Sequence, residues 1–151
     1  MARRERIAAS IALVAALVLA CAAAPAQAGP VGDVIAKIND LRDQHGLRTL
    51  RVADGLMHSA DAYSEKMLDD QYFGHARRIQ ASSRYEYLGE ILEWHRGRNP
   101  DPGWAFRDWL GSPTHLRVML DPGFTYIGAG YATGRFFGHT DTIWTVHFGR
   151  L

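Results

Sequence analysis

The chain has 151 residues, with 17 Lys and Arg against 16 Asp and Glu, and its one cysteine is Cys21. After residue 28 there are 14 basic and 15 acidic residues, a net charge of −1, which excludes a basic surface for nucleic acid or anionic membrane lipids. The same part of the chain has no cysteine, which excludes thiol catalysis and disulfides there.

The first 28 residues have the pattern of an export signal. An arginine-rich start precedes an apolar run from 7 to 24, and Ala26-Gln27-Ala28 resembles a signal peptidase site. We therefore predict a signal peptide over 1–28, a single domain over 29–151, and a secreted, extracellular protein. Two alternatives stay open: lipidation of Cys21, which would tether the protein to a membrane, and a retained membrane anchor.

Two amphipathic helices open the predicted domain. Apolar residues recur at helical spacing over 31–45, and Gly46 is a natural stop. A short extended connector leads to a second helix over 54–70, where Asp54 is placed to meet the free N–H groups of the first turn.

The middle of the chain is less regular. Residues 71–103 are rich in Gly, Ser, Arg and Pro, with one weak extended segment over 87–94. A third helix is predicted over 104–111. A fourth begins with Ser112 as N-cap and Pro113 at the first helical position, and ends before Asp121-Pro122-Gly123.

The last third has the pattern of two strands. Segments 124–133 and 141–149 alternate, with a hairpin loop predicted between Gly134 and Gly138. Glycines at 128 and 130 predict a bend or a close approach of another backbone. Helices first and an antiparallel sheet late indicate an α+β layered domain.

Two of the seven histidines have settings that suggest a site. His75 and His115 lie at boundaries between helix and loop, where side chains converge, and Glu90 and Glu93 lie between them in sequence. The start of a helix favours a neutral imidazole at His115, which is the form that binds a divalent metal. His147 is predicted to point away from the Trp144 face and to be half-buried. The spacing alone leaves open a metal site, an acid–base site or scattered surface residues.

Several motifs taken in order resemble the CAP superfamily, also called the SCP or PR-1-like domain, in its short bacterial secreted form. They resemble the family's F-x-H, G-E-N and W-x-x-S-P-x-H patterns and its last two strands. In chain order they are Phe73-Gly74-His75, Leu88-Gly89-Glu90, Trp109 with Ser112-Pro113-Thr114-His115, Ile127-Gly128-Ala129-Gly130 and Trp144-Thr145-Val146-His147-Phe148-Gly149.

The resemblance implies an α-β-α sandwich with a central, mainly antiparallel sheet. It also implies a cleft lined by two histidines and two glutamates that in some members binds a divalent metal. By position, His75, His115 and Glu90 would be three of the four, and they are our candidate catalytic and metal-binding residues. Ser112 occupies the place of the second glutamate, and Glu93 is a possible substitute for it.

Three functions are compatible with this resemblance. The first is a secreted, monomeric binding protein, without catalytic turnover, for Zn²⁺ or another divalent metal or for a lipid-like ligand. The second is a metal-assisted hydrolase that uses the same cleft to activate a water molecule. The third is a structural protein of the cell envelope that contacts an envelope component. None of the three involves nucleic acid.

Overall fold

The structure is a computed structural model that describes residues 29–151, so the predicted export signal and Cys21 lie outside the described residues. The helices are α1 (Pro30–Gln44), α2 (Asp54–Asp69), α3 (Pro102–Leu110) and α4 (Pro113–Met119). The strands are β1 (Arg51–Val52), β2 (Tyr87–Arg96), β3 (Tyr126–Phe136) and β4 (His139–Arg150). Within this part of the chain no helix is long and apolar enough to cross a membrane.

The four strands form one mixed sheet in the order β1-β3-β4-β2. The β3–β4 and β2–β4 pairs are antiparallel, and the short β1 pairs with β3 in parallel. One apolar cluster joins α1, α3 and α4 to one face of the sheet, and another joins α2 to the other face. The predicted three-layer α-β-α arrangement is therefore confirmed, and its sheet is mainly rather than wholly antiparallel.

Residues of β4 alternate between the two clusters, as the sequence predicts. Ile143 belongs to the cluster on the α2 side, whereas Trp144, Val146 and Phe148 belong to the other. Because both faces are covered by helices, nearly every residue of this strand is buried. A polar side chain on β4 must therefore find its partner inside the protein.

The helix starts follow their capping residues. The Ser112 side chain accepts from the N–H of His115, with Pro113 first in α4, as predicted. Asp101 caps α3, which therefore begins two residues earlier than predicted. The prediction for Asp54 was wrong in detail: Ala53 is the N-cap of α2, and no side-chain bond caps this helix.

The two strands of the C-terminal hairpin are longer than predicted. Strand β3 continues through Gly134 to Phe136, and only Phe137 and Gly138 form the turn, both with positive φ. Two residues with positive φ match the right-handed twist of the paired strands, which explains why the loop is so short.

Glycines in β3 let α2 approach the sheet closely. A Cβ on Gly128 would lie 2.2 Å from backbone atoms of Leu56 and Met57, and one on Gly130 would lie 2.4 Å from the backbone of Asp61. The close approach predicted for these glycines is confirmed. It places the first half of α2 directly over β3.

Candidate functional site

A buried carboxylate and a buried imidazole lie next to each other on two neighbouring strands of the sheet. Glu90 on β2 is the direct partner of His147 on β4, and Glu90 Oε2 lies 2.9 Å from His147 Nε2. Only 1% of His147 is exposed, so the prediction that it is half-buried was wrong. The sheet register brings together two residues that are 57 positions apart in the chain.

The second oxygen of Glu90 holds the loop that follows α2. Glu90 Oε1 lies 2.8 Å from His75 Nδ1 and accepts from the N–H of Ala76 at 2.9 Å. Tyr63 of α2 donates to the carbonyl of Gly74 at 2.7 Å, which fixes the same loop from the helix side. Glu90 therefore links a buried imidazole to His75, whose side chain is 63% exposed.

The hydrogen bonds determine the charge of Glu90. Burial alone raises the pKa of a carboxyl group, but the bonds from His147, the Ala76 N–H and His75 outweigh it and lower the pKa of Glu90. An ionised carboxylate only accepts hydrogen bonds, so both imidazoles donate to it. In neutral His147 the remaining Nδ1 is therefore an acceptor. This atom is buried and has no partner among the described residues.

His115 lies beside this group without joining it. Burial lowers the pKa of His115, Asp108 opposes that shift, and repulsion from His75 adds to it. The neutral imidazole expected at the start of α4 is thus favoured. Its Nδ1 is buried without a partner in the region that the structure describes, and no hydrogen bond there connects its side chain to Glu90.

Glu93 does not reach this group. Successive strand residues point to opposite faces, so Glu93 lies on the face of β2 opposite to Glu90. It bonds to Nδ1 of His95 at 3.0 Å, while Nε2 of His95 lies 2.9 Å from the carbonyl oxygen of Asn99. Burial lowers the pKa of His95, but the Asn99 carbonyl and the Glu93 carboxylate outweigh it, so the pKa is raised. His95 lies near the end of β2, one residue beyond the extended segment predicted over 87–94.

The residues present do not fit a metal centre with three protein ligands. Within 29–151, no group of three His, Cys, Asp or Glu side chains is placed to hold an ion. Both Glu90 oxygens are occupied by hydrogen-bond donors, and Ser112, in the place of the second family glutamate, caps α4. The assignment of His75, His115 and Glu90 as metal ligands stays a prediction.

Two adjoining cavities open between α2 and the loop over 71–86. The outer one has a volume of about 450 Å³, and the inner one about 180 Å³. Their shared walls are Tyr63, Lys66, Ala76 and Gln80. The outer cavity is also lined by Met67, Asp70, Tyr72, His75, Arg77 and Arg78. The inner one is also lined by His58, Ser59, Ala62, Ile79 and His147. The Glu90 group thus borders both cavities, through His75 and through His147.

Known proteins are similar to this chain in sequence. The model of the cysteine-rich secretory protein family (CAP) matches residues 35–148. The Bacillus subtilis protein YkwD is 30% identical over 124 residues, which are 76% of this chain and 45% of that protein. The chain spans less than half the length of the curated relatives that it matches.

Solved structures show the same architecture. An extracellular SCP-domain protein from Bacillus anthracis superimposes with a TM-score of 0.65 at 22% identity, over 82% of this chain and 41% of that one. An outer surface protein from Borrelia burgdorferi gives a TM-score of 0.63 at 22% identity, over 78% and 89% of the two chains. At this identity the likeness establishes the fold alone.

Proposed function

Because the chain belongs to the cysteine-rich secretory protein (CAP) family, we propose that it is a secreted binding protein rather than an enzyme. In this proposal it holds an anionic, lipid-like ligand in the outer cavity between α2 and the loop over 71–86. The extracellular and outer-surface locations of similar structures support secretion, as does the predicted export signal over 1–28.

The charge of the outer cavity carries the proposal. Lys66, Arg77 and Arg78 line it together with a single carboxylate, Asp70, which is bonded to Lys66. Neither arginine has a carboxylate within salt-bridge distance among the described residues. Two arginines without an intramolecular counter-ion attract an anionic group and can bind it through paired N–H donors.

The uncharged walls of the same cavity favour an apolar body. Met67 and the rings of Tyr63 and Tyr72 line it beside the basic side chains. A ligand with a hydrocarbon or aromatic part and one acidic group would satisfy both kinds of wall. Cavities of this type, mostly apolar with a few directed polar groups, are typical of small-molecule binding sites.

The lowered pKa and the hydrogen bonds of Glu90 argue against the hydrolase alternative. A general base works best with a pKa near the working pH, whereas the pKa of Glu90 is lowered and its oxygens accept from three donors. Ser59, His147 and Glu90 are the residue types of a hydrolytic triad. However, Ser59 is buried inside α2, and its hydroxyl has no hydrogen bond to His147 or to any other described residue.

A fluorescent fatty acid tests the proposal. We expect 11-(dansylamino)undecanoic acid to bind saturably to the purified protein. The double variant Arg77→Gln/Arg78→Gln should weaken binding about tenfold. An ion pair between one exposed arginine and the acidic group of the ligand contributes up to about 1 kcal/mol, and the variant removes two such pairs. Arg84→Gln is the matched control, since Arg84 is an exposed arginine of the same loop that does not line the outer cavity. Absence of binding, or equal loss in the control, would refute the proposal.

A further inference from the structure

We propose that Ser59 and His147 form a subsite in the inner cavity that recognises the hydroxyl group of a small apolar molecule, such as a phenol or a cyclic alcohol. The inference rests on the proposed function and deepens it. It names the chemical group that this binding protein would select in the cavity next to the outer one.

The inner cavity is lined by two buried polar side chains whose hydrogen-bonding atoms are unused. Ser59 is 4% exposed and His147 is 1% exposed, and both line this cavity. Ser59 Oγ and His147 Nδ1 have no hydrogen-bond partner in the described part of the chain. Leaving a buried polar atom unpaired costs about 1–3 kcal/mol, so two such atoms on side chains that line one cavity indicate that a further group completes their bonding.

What each of these two atoms can donate or accept defines the chemical group that would complete their hydrogen bonding. His147 Nε2 donates to Glu90, so in the neutral ring Nδ1 is the atom left to accept a hydrogen bond. The Ser59 hydroxyl can both donate and accept. A hydroxyl group is the neutral group that can both donate to His147 and accept from Ser59, so the same kind of ligand group satisfies either atom.

Charged groups suit this place less well. A carboxylate has no proton to give to His147 Nδ1, and it would be repelled by the nearby charge of Glu90. An ammonium group would lack a carboxylate in direct contact, since Glu90 is already occupied by its three donors. The chemistry of the subsite therefore favours a neutral hydroxyl.

The walls and the volume favour a single ring behind that hydroxyl. Ala62, Ile79 and the Tyr63 ring are among the walls, and the centroid of the Tyr63 ring lies 6.3 Å from that of His147. The cavity volume is about 180 Å³. An apolar cavity of about 150 Å³ in another protein holds benzene, so one six-membered ring with a substituent fits here.

A pair of isosteric probes tests this inference. p-Cresol and p-xylene differ only by a hydroxyl in place of a methyl group, and their affinities can be compared by calorimetry on the purified protein. We expect p-cresol to bind about tenfold more tightly, with a change in the ¹⁵N resonance of His147 Nδ1 on binding. Ser59→Ala should reduce that preference to about threefold, because only the bond to His147 remains.

Ser64→Ala is the matched control. Ser64 is another buried serine of α2, but its hydroxyl is bonded to Thr145 Oγ1 at 2.8 Å, and it does not line the inner cavity. This variant should keep the full preference for p-cresol. Because it removes a serine from the same helix, it separates loss of the subsite from general disturbance of α2.

The outcomes distinguish the inference from the proposed function. Equal affinity for the two probes, or no binding of either, would overturn the subsite and leave a bridging water as the partner of Ser59 and His147. If the dansylated fatty acid still bound with the expected arginine dependence, the proposed function would survive that result. A p-cresol preference without fatty-acid binding would instead support the subsite and refute the proposed ligand class.

Discussion

Replacing the Glu90 carboxylate with an amide should destabilise the protein at neutral pH. Of the three groups that donate to it, His147 Nε2 is buried, the Ala76 N–H is partly buried, and His75 is mostly exposed. A hydrogen bond to a charged group is worth roughly 1 kcal/mol more than a neutral one, so Glu90→Gln should lower the free energy of unfolding by about 2 kcal/mol. That corresponds to a fall of about 8 °C in Tm for a domain of this size.

The amide also conflicts with the present tautomer of His147. If its oxygen stays on Ala76, its NH₂ group faces His147 Nε2–H, and two donors cannot bond. His147 must then move its proton to Nδ1, which changes the inner cavity from an acceptor to a donor at that atom. The variant should therefore also lose part of the preference for p-cresol over p-xylene.

The pH dependence provides the critical check. The folded pKa of Glu90 is lowered, so its contribution to stability is present above the unfolded pKa of about 4.3 and is lost as pH falls through the folded pKa. Urea unfolding of wild type and Glu90→Gln should therefore converge at acidic pH. The exposed Glu86 provides the control Glu86→Gln, which should match wild type throughout. A Glu90→Gln effect below about 0.5 kcal/mol, or one equally large at acidic pH, would refute the reasoning.

Contacts elsewhere in the domain lead to three further predictions. Both ring nitrogens of His95 face acceptors and its pKa is raised, so the free energy of unfolding should fall as pH rises from about 6.5 through the folded pKa. Urea midpoints should show this slope in wild type and not in His95→Gln. Gly128→Ala should cost more than about 3 kcal/mol or abolish folding, whereas Gly55→Ala, with open space around it inside α2, should be neutral or stabilising by about 0.5–1 kcal/mol in thermal unfolding. Calorimetric titration of Zn²⁺ should show weak binding without a sharp one-to-one step, because no group of three ligating side chains is present in residues 29–151. Tight Zn²⁺ binding that is lost in His75→Ala/His115→Ala would contradict this prediction.

Local sequence signals were sufficient for the helices and the order of the strands. Capping residues, glycine stops and apolar periodicity are local, and they predicted α1, α2 and α4 to within one or two residues at most boundaries. They were less accurate for β2, which was predicted only as a weak extended segment. Its ten-residue length comes from pairing with β4, a contact that no local pattern encodes.

The candidate site was predicted only in part for the same reason. His75 and Glu90 were selected from their motifs, and the structure brings them into direct contact. His147 was missed because its partner is on another strand, and only the register that places Glu90 opposite it reveals the pair. A sequence clue did exist: Glu90 of β2 is followed by Ile91 and Leu92, and His147 of β4 lies between Val146 and Phe148, so each is a titratable residue next to apolar ones. Because unpaired buried charges are costly, such residues on neighbouring strands are expected to meet.

The position of Glu90 explains how the loop over 71–86, which lacks helix and strand, can form cavity walls. One carboxylate oxygen accepts a hydrogen bond from the N–H of Ala76 in that loop. The other accepts one from His147 Nε2 of the buried strand β4. Any ligand that moves the loop at His75 therefore acts on the same carboxylate that fixes the tautomer of His147. Because the two oxygens belong to one rigid group, the outer and inner cavities are expected to be coupled. The dansylated fatty acid should accordingly change the affinity for p-cresol, and by linkage p-cresol should change that for the fatty acid by the same factor.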